Sequence, residues 1–171
     1  MKNLKYIFKI FFILFLISLQ SCKIKYSLNG ATIPPEAKTI SVAFFTNNTT
    51  LGAPSLSQRF TEKLRDVVSS QTNLGLVRIN GDLQFEGYIA DYNVSPVAIA
   101  STDLAGKNRL TISVSVKYAN KFEATKCFEQ TFTRFADYSS SESISAKEPE
   151  LVIEIYRQLT EDIFNKAFNN W

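Results

Sequence analysis

Between Arg109 and Ala119, apolar and polar residues alternate without a break. Leu110, Ile112, Val114, Val116 and Tyr118 share one side of an extended chain, and Thr111, Ser113, Ser115 and Lys117 take the other. Neighbouring side chains on a strand point to opposite faces, so this stretch belongs to a sheet with one buried and one wet face. Such a sheet needs a covering layer on one side. Two helical patterns elsewhere in the chain supply it.

The first begins behind Ser55. Leu56, Phe60, Leu64, Val67 and Val68 fall on one helical face, and Ser55-Leu56-Ser57-Gln58 reads as a capping box. Arg59, Glu62, Lys63, Arg65 and Asp66 cover the other face and read as solvated, ion-paired surface. The helix is expected to fade near Thr72-Asn73. A second capping box, Ser145 to Glu148, opens the terminal helix, with Pro149 in its first turn. Leu151, Val152, Ile155, Tyr156, Leu159 and Ile163 form its core stripe. Phe164, Phe168 and Trp171 centre roughly 150° away from that stripe. Either the end of the chain completes the core under the sheet, or these three aromatics form a partner-contacting patch.

The remaining strands read as Thr39 to Thr46, Leu76 to Ile79, Leu83 to about Ser95, and Lys126 to Asp137. Asn80-Gly81-Asp82 predicts a tight hairpin turn, because Asn-Gly tolerates positive φ. Gly87 is expected to mark a bulge, and Cys127 to be a packed strand thiol. Loops are expected over 47–54, which is polar, over 96–108, which carries the exposed-looking apolars Val97, Ala98 and Ile99 beside Lys107 and Arg109, and over 137–145, which is serine-rich. The order β-α-β-β-β-β-α predicts an α/β (α+β) two-layer sandwich. Its sheet is mixed and mostly antiparallel, with both helices packed on one face. The first strand is joined by a helical crossover, and the later strands form a meander. The uncovered face is either wet or meets another protein.

The amino terminus is of another kind. Lys2, Lys5 and Lys9 precede a nearly unbroken apolar run from Ile10 to Leu19. That run is about ten residues, whereas a membrane-spanning helix needs roughly twenty. It reads as an export signal. The ending Leu19-Gln20-Ser21-Cys22 resembles the bacterial lipobox. There a small residue precedes the scissile bond, and the cysteine thiol receives the lipid. Residues 1–21 are therefore expected to be a lipoprotein signal peptide, with Cys22 as the lipid-attachment residue. Residues 22–38 would be a lipidated tether, stiffened by Ile33-Pro34-Pro35, and 39–171 a single domain.

Removing the leader changes the electrostatics. The whole chain carries 19 basic and 16 acidic side chains, and the three leader lysines account for the entire excess. A neutral domain exerts no strong pull on nucleic acid, which is excluded as a partner. The chain has no histidine. That removes Ser-His-Asp and Cys-His catalysis and the commonest zinc or copper ligand. No Gly-rich phosphate loop appears, and the carboxylates are scattered. The sequence predicts no enzyme, no catalytic residue, no metal site and no cofactor.

Several stretches resemble the LptE-like lipopolysaccharide-assembly lipoproteins, in the form found in Bacteroidetes. They are the lipobox with its tether, IPPEAKTISVAFFTNN, LSQRFTEKLRD with SQTNLGLV, GDLQFEGYI with SPVAIA, NRLTISVSVKYAN, and QLTEDIFNKAFNNW. They cover most of residues 22–171 in order. The resemblance implies an outer-membrane lipoprotein facing the periplasm, held by fatty acyl chains such as palmitate. It would be plug and assembly factor of a large β-barrel partner that inserts lipopolysaccharide into the outer leaflet. It also implies lipopolysaccharide binding through basic side chains, for which Lys107 and Arg109 are the candidates here. Two other readings stay open. One is a periplasmic activator or adaptor of a peptidoglycan synthase or secretion pore, and the other is an envelope hydrolase built on an unseen carboxylate pair.

Overall fold

The computed structural model describes residues 33–97 and 106–169. Its elements in chain order are β1 (Thr39–Val42), β2 (Thr46–Asn47), α1 (Leu56–Gln71), β3 (Gly75–Val77), β4 (Leu83–Val97), β5 (Lys107–Asn120), a 3₁₀ turn (Ala124–Lys126), β6 (Phe128–Ser139) and α2 (Ile144–Phe168). The strands form one sheet in the order β3-β1-β4-β5-β6, with β2 beside β4. β1 runs parallel to β3 and β4, while β4, β5 and β6 form an antiparallel meander. The expected two-layer α+β sandwich is the observed fold.

Parity explains the strands in detail. All five apolar residues of the alternating run on β5 are buried. On β4 the inward residues are Leu83, Phe85 and Ile89, then Tyr92. The switch from odd to even comes from a register shift between Ile89 and Asp91, so the bulge is at Ala90 and not at Gly87. Gly87 has a different reason to be glycine: a Cβ there would lie 2.6 Å from the Phe45 ring. The first predicted strand is also interrupted. Val42 pairs with Phe85 and Thr46 with Tyr88, so β1–β2 carries one residue more than β4 over that interval. This bulge turns Phe45 into the core and leaves Phe44 57% exposed.

Backbone groups freed by the bulge are taken up by α1. Thr61 Oγ1 accepts the Phe45 N–H at 3.0 Å, and the Arg65 guanidinium donates to the Val42 carbonyl at 2.8 Å. Arg59 likewise donates to the Pro149 carbonyl. Two charges expected in surface ion pairs are thus clamps on backbone.

Neither capping box forms. Ser55 is in the helical region and makes no side-chain cap, while Gln58 bonds Glu62 one turn on. The terminal helix starts earlier than expected, with the Ser143 hydroxyl accepting the Ala146 N–H. Pro149 therefore falls in the second turn, and Glu148 is left for another task.

The Asn80-Gly81-Asp82 turn does not make a hairpin. β1 lies between β3 and β4, so residues 78–82 must cross it. Gly81 permits the crossing, since a Cβ would sit 2.5 Å from the Ser41 nitrogen. Asp82 then fastens the crossing. Its carboxylate accepts the N–H groups of Lys38 and Thr39 and the Thr39 hydroxyl, at 2.9–3.1 Å.

Both helices cover the inner sheet face. Tyr156 of α2 donates to the Leu56 carbonyl and packs edge-on to Phe60, which meets Phe45. Further along α2, Phe168 faces Phe85 and Tyr118 of the sheet. A helix flanked by both a sheet and another helix needs apolar residues over a wide arc. On the outer edge strand, Arg134 pairs with Asp162 of α2 at 2.6 and 2.8 Å. An inward-reaching charge of this kind discourages edge-to-edge association.

Candidate functional site

The sheet gives the molecule two ends. The tip comprises the end of β4 and start of β5, the start of α2 and the loop before α1. The base comprises the start of β1, the 78–82 crossing, the turn after β5 and the end of α2. Strand directions fix this arrangement, because β4 rises from Leu83 at the base to Val97 at the tip and β5 descends.

Lys107 and Arg109 lie at the tip, on the uncovered sheet face. Lys107 is exposed. Arg109 is engaged: it makes a two-point ion pair with Asp137, at 2.7 and 3.0 Å, and its guanidinium lies 3.6 Å from the centre of the Phe135 ring. The guanidinium holds the Asp137 carboxyl below the usual carboxylate range, and the pairing raises Arg109. Around them the uncovered face is small and hydroxylic, with Ser113 and Thr133 bonded across strands at 2.8 Å. Tyr88, Phe44 and Phe135 are exposed aromatics.

Sequence reasoning missed a groove of about 420 Å³ at the tip. Leu51, Ala53, Val94 and Ile144 line its apolar sides, with Tyr92 and Glu148 at one wall. One Glu148 carboxylate oxygen accepts both the Tyr92 hydroxyl, at 3.0 Å, and the Ala53 N–H, at 3.1 Å. Burial first, and then this bond to a carboxylate, push the Tyr92 phenol well above its ordinary range. Glu148 thus ties the 51–53 loop to α2 and leaves Leu51, 59% exposed, at the rim. The period of a helix cannot reveal such a groove, because its walls come from three separate elements.

Of the two readings left open for the aromatics at the end of α2, the structure takes Phe164 and Phe168 into the core. Phe164 and Phe168 are each 2% exposed, and their rings meet at a tilt with 4.8 Å between centroids. They belong to the core because the sheet reaches under the end of α2. Trp171 and Cys22 lie outside the described residues. Cys127 is corrected: it is exposed, just before β6, and exchanges weak hydrogen bonds with the backbone of Asn120. The 3₁₀ turn takes up the residues that would have placed it in the strand. Among the described residues, no cluster of three or more His, Cys, Asp or Glu side chains could hold a metal ion. None of their helices is long and apolar enough to cross a membrane.

A two-layer domain with one bare sheet face and an apolar groove at its tip is built to present surface. Its class is that of small two-layer α+β domains with two helices on one face of a mixed sheet. Residues 37–167 match the family model described as LptE, lipopolysaccharide-assembly, and the chain belongs to that family. No curated protein matches. Solved structures share the fold at low identity. The hypothetical protein CT253 from Chlamydia trachomatis is 11% identical with a TM-score of 0.51, covering 78% of this chain and 99% of that one. A putative neuraminyllactose-binding hemagglutinin homolog from Helicobacter pylori is 9% identical with a TM-score of 0.52, covering 82% and 88%. A minor lipoprotein from Acinetobacter baumannii is 14% identical with a TM-score of 0.47, covering 77% and 96%. Family membership gives the protein a role in lipopolysaccharide assembly.

Proposed function

We propose that this chain is the lipid-anchored subunit of an outer-membrane translocon. It fills the lumen of a large β-barrel partner and assists its assembly, while the barrel places lipopolysaccharide in the outer leaflet. The observation that carries this reading is the family match across nearly the whole domain, residues 37–167. A lumen is filled by shape and hydrogen bonds, and the bare face of β4–β6, rich in Ser and Thr, offers both. Lys107 is the stronger candidate for a lipopolysaccharide phosphate, because Arg109 already holds Asp137.

The lipid anchor is part of the same proposal. Cleavage before Cys22 and acylation of its thiol and amine would tether the domain to the periplasmic leaflet. One acyl chain gives marginal binding, at about 0.8 kcal/mol per buried CH₂, and two or three hold firmly. Tethering keeps the plug near its barrel and raises its effective concentration there. Affinity purification from native membranes should recover a much larger β-rich protein, and depletion should reduce lipopolysaccharide at the cell surface. Recovery of a peptidoglycan synthase in place of a barrel, with surface lipopolysaccharide unchanged, refutes the proposal.

A further inference from the structure

We propose that, before the domain enters its barrel, its base is a membrane-contacting surface that rests on the headgroups of an anionic phospholipid bilayer through Ile79, Phe122 and a set of basic side chains. This rests on the lipid-anchor part of the function proposed above. It adds a contact made by the folded domain itself.

Two turns meet at the base, and Asp82 joins them. The Lys121 N–H donates to the Asp82 carbonyl at 3.1 Å, and the Lys121 ammonium lies 3.8 Å from its carboxylate. The 78–82 crossing and the turn after β5 therefore form one fixed platform. From the first turn projects Ile79, 75% exposed, the most exposed large apolar side chain of the described residues. From the second projects Phe122, 42% exposed, with the Lys121 ammonium 5.9 Å from its ring centre. Neither packs into the core, and each stands beside a cation, Arg78 or Lys121. Apolar side chains that enter the interface, next to basic ones that reach the headgroups, make up the pattern of interfacial anchors.

Charge follows the same axis. The base carries Lys38, Arg78, Lys121, Lys126 and Lys166, against Glu36, Asp82 and Glu123. Two of those acids are already engaged, Asp82 by backbone and Lys121, and Glu123 by Lys126 at 2.8 Å. At the tip the three basic residues Lys107, Arg109 and Lys147 stand against four acidic ones: Glu142 and Glu150 hold Lys147, Asp137 holds Arg109, and Glu148 accepts from neutral donors. Each basic residue near an anionic surface adds to its attraction. The field therefore favours the base over the tip, so the domain has a preferred orientation.

Chain geometry selects the same end. The described chain begins at Ile33 and reaches Lys38 at the base, where Asp82 captures the Lys38 and Thr39 amides. From Cys22 to Ile33 the tether can stretch to at most about 40 Å. β4 alone, at 15 residues, runs roughly 50 Å from base to tip. An acylated Cys22 therefore cannot readily bring the tip onto the bilayer, and it leaves the base within easy reach.

The experiment uses the acylated mature chain, carrying Cys127→Ser, in vesicles of three parts phosphatidylethanolamine to one part phosphatidylglycerol. Nitroxide labels are placed singly through Ile79→Cys, Phe122→Cys and Leu51→Cys, and collisions with oxygen and with a water-soluble nickel chelate are compared. Labels at 79 and 122 should meet oxygen several-fold more than the chelate, and the label at 51 should show the reverse. Replacing phosphatidylglycerol with phosphatidylcholine should shift 79 and 122 towards water. A chain that floats with the vesicles while 79 or 122 reports water overturns the inference and leaves the anchor standing. A chain that fails to float overturns the anchor, and the inference with it.

Discussion

The base and the tip of this domain are closed by different means. At the base, an aromatic cluster of Phe85, Tyr118, Phe164 and Phe168 is sealed by backbone. There β1, the crossing and the turn after β5 are all fastened through Asp82. At the tip, closure rests on side chains. Glu148 holds Tyr92 and Ala53, Arg109 holds Asp137, and a groove stays open beside Leu51. Regions with few buried apolar contacts open at low free energy, and surfaces that must adapt to a partner come from them. The base is thus the more firmly closed end of the domain and the tip the more open one.

The contrast is broken most directly by Phe168→Ala. Emptying a fully buried aromatic site costs about 3–5 kcal/mol. Leu51→Ala at the tip should stay within about 0.5 kcal/mol, as exposed positions do. Urea unfolding of both variants measures this. Similar losses would mean that the tip is as tightly packed as the base.

Asp82→Asn sharpens the comparison through pH. The Lys38 N–H first, then the Thr39 hydroxyl, hold the Asp82 carboxyl below the usual carboxylate range, with smaller help from the Thr39 N–H and Lys121. Its folded pKa lies below its unfolded pKa of about 3.9. The stabilisation is therefore present above that unfolded value and is lost as pH falls through the lower folded one. The variant should melt a few degrees lower at pH 7, and its melting temperature should fall less steeply in acid. Parallel melting curves for variant and parent between pH 2 and 5 would show that Asp82 does not fasten the crossing.

Glu148→Ala should cost about 1–2 kcal/mol, because it strips the partner from the Tyr92 hydroxyl and the Ala53 amide. Hydrogen exchange at the Ala53 amide should accelerate, while that at the Thr39 amide should not change. Acceleration at both would couple the two ends.

Much of this architecture was legible because it depends on period. The alternation on β5, the stripe on α1 and the long apolar face of α2 each set a face and a length. What stayed hidden arose where the period breaks. The bulges at residues 43–45 and at Ala90 flip parity, and nothing local in the sequence marks them. Asn80-Gly81 carries the signature of a hairpin, yet the preference for positive φ at Asn80, observed at 54°, serves a strand crossing equally well. The caps failed for a similar reason: Glu148 fits a capping box by spacing, but its tertiary partners Tyr92 and Ala53 compete for it. Of the candidate site, the position of Lys107 could be inferred. The commitment of Arg109 to Asp137 could not, because it depends on the register of β5 against β6.

The smallest effect separates those two basic residues. Lys107 is exposed and flanks the pair, where its charge helps to lower Asp137, and Arg109 is held at two points by that carboxylate and stacked on Phe135. Truncating Lys107 removes a side chain that makes no ion pair among the described residues. Lys107→Ala should leave the melting temperature within about a degree of the parent, as exposed substitutions do, and weaken lipopolysaccharide binding two- to five-fold. Arg109→Ala should lower the melting temperature slightly, because the stacked and paired guanidinium bridges β5 and β6. It should weaken binding less than Lys107→Ala does, since Asp137 already takes two of that guanidinium's donors and offsets its charge. Binding isotherms at low and physiological salt read both variants. A larger binding loss for Arg109→Ala would mean that Asp137 releases its partner when the lipid arrives, making the tip a switchable contact.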